Sequence, residues 1–248
     1  MNGESVKLSV VIPVYNEEEN LGPLLDELFP ILRGLERPFE VICVDDASTD
    51  RSANVIKELC DTYKELRLVR HGVNCGESAA EASGFSQSRG EVVITMDADL
   101  QNDPSDIPSL LKALEDSDAV CGVRAIREDS WLKRVSSWIA NGFRNWITND
   151  KVSDAGCTFR ALRKNALAEI PVFNGMHRFL PTLLRFQGYR VVEIEVNHRP
   201  RIHGQSKYGI GNRMFRGIVD CFAMIWWRRR CVPGDRLRKD SREAAHQG

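Results

Sequence analysis

No stretch of this 248-residue chain carries the roughly 18 consecutive apolar residues that a membrane-spanning helix needs. The first seven residues are polar and the apolar run behind them is only a strand long, so a secretory leader is not expected either. Net charge is nearly absent: 34 Lys and Arg stand against 35 Asp and Glu, which removes the electrostatic basis for wholesale nucleic-acid binding. The seven cysteines are odd in number and never spaced C-x-x-C, which suits reduced core thiols in a cytosolic protein better than a disulfide framework or a zinc site. His198 and His203 have no cysteine or carboxylate at a metal spacing. Neither a G-x-G-x-x-G nor a Walker A sequence occurs, so dinucleotide cofactors and P-loop chemistry are not expected.

What is present is an alternation of short apolar runs with amphipathic segments. Residues 8–14 read as a buried strand, and Leu21, Leu24, Leu25, Leu28, Ile31 and Leu32 follow at helical spacing. Residues 39–44 form a second strand, followed by a helix through about Tyr63 whose expected cap is Ser48 or Asp50. Residues 66–69 make a third strand, 71–76 a glycine-bearing loop, and 79–88 a helix of small residues suited to close packing on a sheet. Residues 92–96 are a fourth strand, nearly all apolar and rich in β-branched side chains. This order predicts an α/β fold with a mostly parallel sheet and helices on both faces.

Three of these strands end in chemistry. Tyr15 and Glu17 close the first, Asp45 and Asp46 the second, and Asp97, Asp99, Gln101 and Asp103 the fourth. Carboxyl ends of parallel strands open on one crevice, where such sheets place ligands. The last cluster has two readings. It is a polar turn punctuated by Asn102, Asp103 and Pro104, or it is a cation site in which hard oxygen ligands suit Mg²⁺ or Mn²⁺ shared with phosphates. Asp97 and Asp99 would share one face if the chain stayed extended.

The ordered set Val10-Val-Ile-Pro-Val-Tyr-Asn-Glu17, Val44-Asp-Asp-Ala-Ser-Thr-Asp50 and Met96-Asp-Ala-Asp-Leu-Gln101 resembles the donor half of the GT-A glycosyltransferases of family 2. Within that family the chain looks most like the dolichol-phosphate mannose synthase and polyprenyl-phosphate glycosyltransferase branch, over about residues 8–210. The resemblance implies a single Rossmann-like GT-A domain and a metal-dependent, inverting transfer of a mannose- or glucose-like sugar from a nucleoside diphosphate to a polyprenyl phosphate. By the same resemblance Pro13, Tyr15, Glu17 and Asp46 surround the nucleotide, Asp97 helps fix it, and Asp99 and Gln101 bind Mg²⁺ or Mn²⁺.

The second half carries the expected acceptor side. A strand over residues 118–123 ends at Arg124, and a helix beginning near Trp131 brings Lys133 and Ser137. In the resembled branch Arg and Ser side chains of this region receive the lipid phosphate; Arg124 and Ser137 match those positions, whereas Lys133 stands where an Arg is expected and supplies charge without a bidentate fork. That helix reads either as a basic, tryptophan-bearing interfacial helix or as a core helix. Asp154, in the turn Val152-Ser-Asp-Ala-Gly-Cys-Thr-Phe-Arg160, is the candidate near sugar or acceptor; Arg160 has a possible structural reading. Residues 191–196 alternate as a half-exposed strand. The following basic loop looks like the branch's Arg-x-x-Gly-x-Ser-Lys segment, with Arg201 as its Arg.

The expected organisation is a catalytic domain over 1–212 (donor half about 8–104, acceptor half about 105–212), an amphipathic segment over 213–232, and a polar, disordered tail over 233–248. Trp226 and Trp227 beside Arg228, Arg229 and Arg230 suit peripheral attachment to the cytoplasmic face of a membrane. Two other readings stand beside this one. A family 2 enzyme with a saccharide or protein acceptor would share the donor motifs. A receiver-type phosphorylation switch would share the acidic pocket at Asp45 and Asp46, but a complete strand–helix unit precedes Asp45, where a receiver would only be starting.

Overall fold

A computed structural model describes residues 6–124, 152–201 and 210–230, the last with side chains from residue 219 onward. Strands β1 (Leu8–Val14), β2 (Phe39–Asp45), β3 (Leu66–Arg70) and β4 (Val92–Thr95) alternate with helices α1 (Leu21–Gly34), α2 (Ser52–Thr62) and α3 (Glu77–Gln87). A single 3₁₀ turn (Pro104–Asp106) leads into α4 (Ile107–Ala113), then come β5 (Ala119–Arg124), β6 (Arg160–Arg163) and α5 (Lys164–Leu167). Helix α6 (Met176–Phe186), β7 (Val191–Val196) and α7 (Ile210–Arg230) complete the described chain.

The seven strands form one sheet in the order β3-β2-β1-β4-β6-β5-β7. Every pairing is parallel except the two made by β6, which runs against both β4 and β5. The carboxyl ends of β1, β2, β4, β5 and β7 therefore share one edge, and β6 brings its amino end, with residues 152–159, to that same edge.

The core lies on both faces of the sheet, as near-continuous apolar strands require. Val10, Ile12, Val41, Cys43, Ile94, Ala161 and Phe159 pack on one face with the buried leucines of α1. Val11, Ile42, Val44, Val93 and Leu162 pack on the other with Ala80 of α3 and Leu180 and Leu184 of α6. The small residues of α3 have a direct use here: a methyl group added at Gly84 would overlap Val11 Cγ1. Pro13 is tolerated in a central strand because β4 ends opposite Val11, leaving no β4 neighbour at Pro13 to miss its N–H.

Neither expected residue caps α2: the N-cap position is Arg51, with no side-chain cap bond. Asp50, one residue earlier, accepts from Ser52 N–H at 2.9 Å, whereas the Ser48 hydroxyl accepts from Asn16 N–H at 3.0 Å and ties the β1–α1 loop to the β2–α2 loop. The region of the expected tryptophan helix, with Lys133 and Ser137, lies outside the described residues, as do most of the basic loop beyond Arg201 and the tail over 233–248.

Candidate active site

Three neighbouring loops build the donor side of the sheet edge. Asn16, at φ +55°, turns its Oδ1 to accept from Thr49 N–H at 2.8 Å, and Glu17 N–H donates to Ser52 Oγ at 2.8 Å. The Glu17 carboxylate accepts from the Asn20 amide at 2.6 Å and so closes the entry to α1. Pro13, Tyr15 and Glu17 are half-buried at this edge, beside Asp46, whose N–H donates to Val14 O at 2.8 Å.

Asp46 is almost wholly buried and holds the loop over residues 71–76 in place. Its Oδ1 meets His71 Nδ1 at 2.7 Å and accepts from Cys75 N–H at 2.9 Å, while Oδ2 accepts from Gly76 N–H at 2.7 Å. His71 Nε2 in turn lies 2.8 Å from Ser83 Oγ. Donor atoms of Asp46, His71 and Cys75 lie within 4.8 Å of one another, yet both Asp46 oxygens and both His71 nitrogens are already engaged. The trio is a loop anchor, which sequence reading missed because its members are 25 or more residues from Asp46.

The acidic cluster proves to be a turn and a carboxylate pocket at once. Strand β4 stops at Thr95, and the chain bends so that Asn102 Oδ1 accepts from Asp97 N–H at 2.9 Å and Asp99 Oδ1 from Gln101 N–H at 3.2 Å. Leu100 is left at φ +63°, a sparsely populated conformation for a branched side chain. Asp97 and Asp99 thus meet through a bend rather than along one face of an extended strand. Burial, then the charge of Asp99, pushes the Asp97 carboxyl up to about 6, against pull from the Thr158 hydroxyl, Arg160 and Arg201. Thr158 Oγ donates to Asp97 Oδ2 at 2.6 Å, a contact made possible by the reversed β6.

Beneath Asp97 lies a second ionic layer. Arg160, at the amino end of β6, is fully buried, and none of its guanidinium nitrogens has a hydrogen-bond partner among the described residues. Its charge is balanced through space by Asp97 and by Glu81 of α3, itself 1% exposed. Burial pushes Glu81 up to about 7, with Arg160 drawing it down and Asp97 adding to the rise. In the sequence this layer shows only as Arg160 itself and as a carboxylate set among the small residues of α3, beside Ala80 and Gly84.

The acceptor candidates meet each other. Arg124, ending β5, forks onto Asp154 with Nε to Oδ2 at 2.7 Å and Nη2 to Oδ1 at 2.8 Å, and the Asp154 side chain is only 2% exposed. Asp154 also accepts from Gly156 N–H at 3.2 Å. From β7 the chain returns across the acidic turn, where Arg199 N–H donates to Gln101 O at 2.9 Å and Arg201 Nη2 donates to Asp99 Oδ2 at 2.5 Å. Asp97, Asp99, Gln101 and Arg201 are therefore brought together, whereas Arg124 and Asp154 form a neighbouring pair at the same edge. The oxygen-rich set of Asp99 and Gln101, with a cation already drawn to Asp99, fits a hard divalent ion.

The family model for glycosyl transferase family 2 matches residues 9–171. The chain is 37% identical over 232 residues to dodecaprenyl-phosphate galacturonate synthase of Rhizobium johnstonii, covering 91% of this chain and 68% of that protein. It is 38% identical over 205 residues to undecaprenyl-phosphate 4-deoxy-4-formamido-L-arabinose transferase of Edwardsiella ictaluri, covering 82% of this chain and 63% of that one. Among solved structures, glucosyl-3-phosphoglycerate synthase of Mycobacterium tuberculosis, crystallised with Mn²⁺, uridine diphosphate and phosphoglyceric acid, superposes with a TM-score of 0.67 at 19% identity, over 90% of this chain and 78% of that one. That likeness shows a shared fold.

Proposed function

The chain belongs to glycosyl transferase family 2 and is a glycosyltransferase, and on that premise we propose that it moves a sugar from a nucleoside diphosphate to a polyprenyl phosphate. The observation that carries the reading is the Asp97–Asp99–Gln101 turn, with Asp99 buried and paired with Arg201, at the carboxyl edge of a mostly parallel sheet. The names of the two relatives, both polyprenyl-phosphate sugar transferases, support the same acceptor class.

In this reading Pro13, Tyr15, Glu17, Asp46 and Asp97 surround the nucleotide, and Asp99 and Gln101 hold Mg²⁺ or Mn²⁺. The divalent ion, when bound, supplies Lewis-acid neutralisation of the departing diphosphate. An acceptor phosphate oxygen forms the new bond to the anomeric carbon while the bond from that carbon to the diphosphate breaks, inverting the centre; the electron pair leaves with the nucleotide. The nucleophile is already ionised near neutral pH, so positioning and charge stabilisation outweigh general-base help. Arg124, Lys133 and Ser137 are assigned to the acceptor phosphate, Asp154 to sugar and acceptor orientation, and Arg201 to the diphosphate. The Arg124–Asp154 fork gives the acceptor side a rigid base.

The same reading places the enzyme peripherally on the cytoplasmic face of a membrane, with a catalytic domain to about residue 212. Helix α7 turns Cys221 and Met224 into the core against Phe179 and Leu183, and leaves Val219, Phe222 and Trp226 more than half exposed ahead of Arg228, Arg229 and Arg230. An apolar stripe ending in arginines suits an anionic lipid surface. No helix among the described residues is long and apolar enough to cross a membrane.

The test is incubation of the purified protein with Mn²⁺ or Mg²⁺, a short-chain polyprenyl phosphate and a panel of nucleotide sugars, with Asp99→Ala as control. A mannose- or glucose-like donor is the starting choice, and the relatives' names put galacturonate and 4-deoxy-4-formamido-L-arabinose donors on the same panel. Lipid-dependent nucleotide release with a sugar-sized mass gain, both lost in the variant, is the expected result. Metal-dependent donor binding without lipid modification would move the acceptor to a saccharide or protein, and no binding of any nucleotide sugar would overturn the reading.

A further inference from the structure

We propose that Arg201 is the counter-cation that Asp99 holds until metal binds, so that metal and donor diphosphate bind together rather than independently. The inference rests on the reading above that Asp99 and Gln101 hold the metal.

Asp99 has two carboxylate oxygens with different duties. Oδ1 is turned back into its own loop, where it accepts from Gln101 N–H at 3.2 Å. Oδ2 carries Arg201, in a pair whose side chains are 9% and 31% exposed for Asp99 and Arg201 respectively. A hard divalent ion takes a carboxylate oxygen at about 2.0–2.6 Å, so at Oδ2 it would sit against the guanidinium. Two cations on one oxygen repel, and in a partly desolvated turn that repulsion is poorly screened. A metal bound at Oδ2 therefore has to displace Arg201.

Gln101 is held by the same segment. Its Nε2 donates to Arg199 O at 3.2 Å and lies 3.3 Å from His198 Nε2. The segment is anchored independently: Asn197 N–H donates to Asp106 at 2.7 Å, and Arg199 reaches Glu27 at 2.6 Å and Asp103 at 3.0 Å. Moving Arg201 off Asp99 consequently breaks one ion pair and leaves residues 197–199 docked. The displaced guanidinium needs a new anion, and a donor diphosphate offers the oxygens that an arginine fork pairs with best. Metal alone must eject Arg201 into solvent, whereas metal arriving with a nucleoside diphosphate lets Arg201 exchange one anion for another. The coupling is reciprocal: each partner raises the affinity for the other by the same factor.

The test is a calorimetric titration of Mn²⁺ into wild type, Arg201→Gln, Arg201→Lys and Asp99→Asn, alone and with uridine or guanosine diphosphate. Without nucleotide, Arg201→Gln should bind Mn²⁺ roughly tenfold or more tightly than wild type, a gain of function that a merely damaged site cannot produce. Arg201→Lys, which keeps the charge, should stay near wild type. The enhancement of Mn²⁺ affinity by nucleotide should shrink in Arg201→Gln. Unchanged, weaker or undetectable Mn²⁺ binding by Arg201→Gln would overturn the proposal. Wild-type Mn²⁺ affinity in Asp99→Asn would instead overturn the metal assignment itself, so the two failures are told apart.

Discussion

Glu81→Gln probes the buried ionic layer beneath Asp97. Glu81 is 1% exposed, and burial lifts its carboxyl from 4.5 to about 7 despite the opposing pull of Arg160. A folded-state value above the unfolded one means that the native protein keeps the proton longer. The contribution of Glu81 to stability is thus full below about pH 4.5 and is lost as pH rises through about 7. The gap between 4.5 and about 7 corresponds to about 3 kcal/mol, most of it accruing between pH 5 and pH 8. Glutamine has nearly the shape of the protonated acid and does not titrate. The variant should therefore gain about 2–3 kcal/mol on wild type between those two pH values, a shift of roughly 5–10 °C in midpoint for a domain of this size. Urea unfolding at both pH values, with thermal midpoints as a second measure, reads the difference directly. Parallel pH dependences of the two proteins would refute the reasoning, because Glu81 would then titrate alike in the folded and unfolded chains.

Gly84→Ala should destabilise the protein by about 1–3 kcal/mol, since the added methyl overlaps Val11 in the middle of β1. Gly22→Ala in α1, where a methyl meets nothing within 4 Å, is the control and should hold or raise the thermal midpoint. Equal midpoints for the two variants would contradict the close packing of α3. Thr158→Val removes the 2.6 Å hydroxyl bond that lowers Asp97, so the Asp97 carboxyl should rise above about 6 and the acidic limb of the pH–rate profile should move upward by about one pH unit. An unmoved acidic limb would mean that Asp97 does not govern it.

Most of the framework was legible in the chain because it depends on local chemistry. Apolar runs of strand length, helical spacing of leucines and carboxylates clustered at strand ends are properties of a few consecutive residues, and they placed Asp46, Asp97, Asp99 and Gln101 at one sheet edge. Even the choice left open at residues 97–103 was open for a physical reason: the same kind of oxygen that caps a turn also suits a cation, and the structure shows the turn bonds to Asn102 and Asp99. The cap of α2 was ambiguous in the same way. Ser48 and Asp50 are both competent caps, yet the neighbouring loop takes the Ser48 hydroxyl for Asn16, the helix starts only after Arg51, and Asp50 is left bonding the first helical N–H from outside the cap position.

By itself, then, the sequence determined the strand–helix alternation, the mostly parallel sheet and the family to which the donor motifs belong. Tertiary structure alone decided which strand runs backwards, and with that reversal came Thr158 against Asp97 and Arg160 beneath it. It also decided that Arg124 forks onto Asp154 and that Arg201 rests on Asp99, pairs separated by 30 and 102 residues. Burial and partner choice are properties of how distant segments pack, and no local pattern of spacing or charge encodes them.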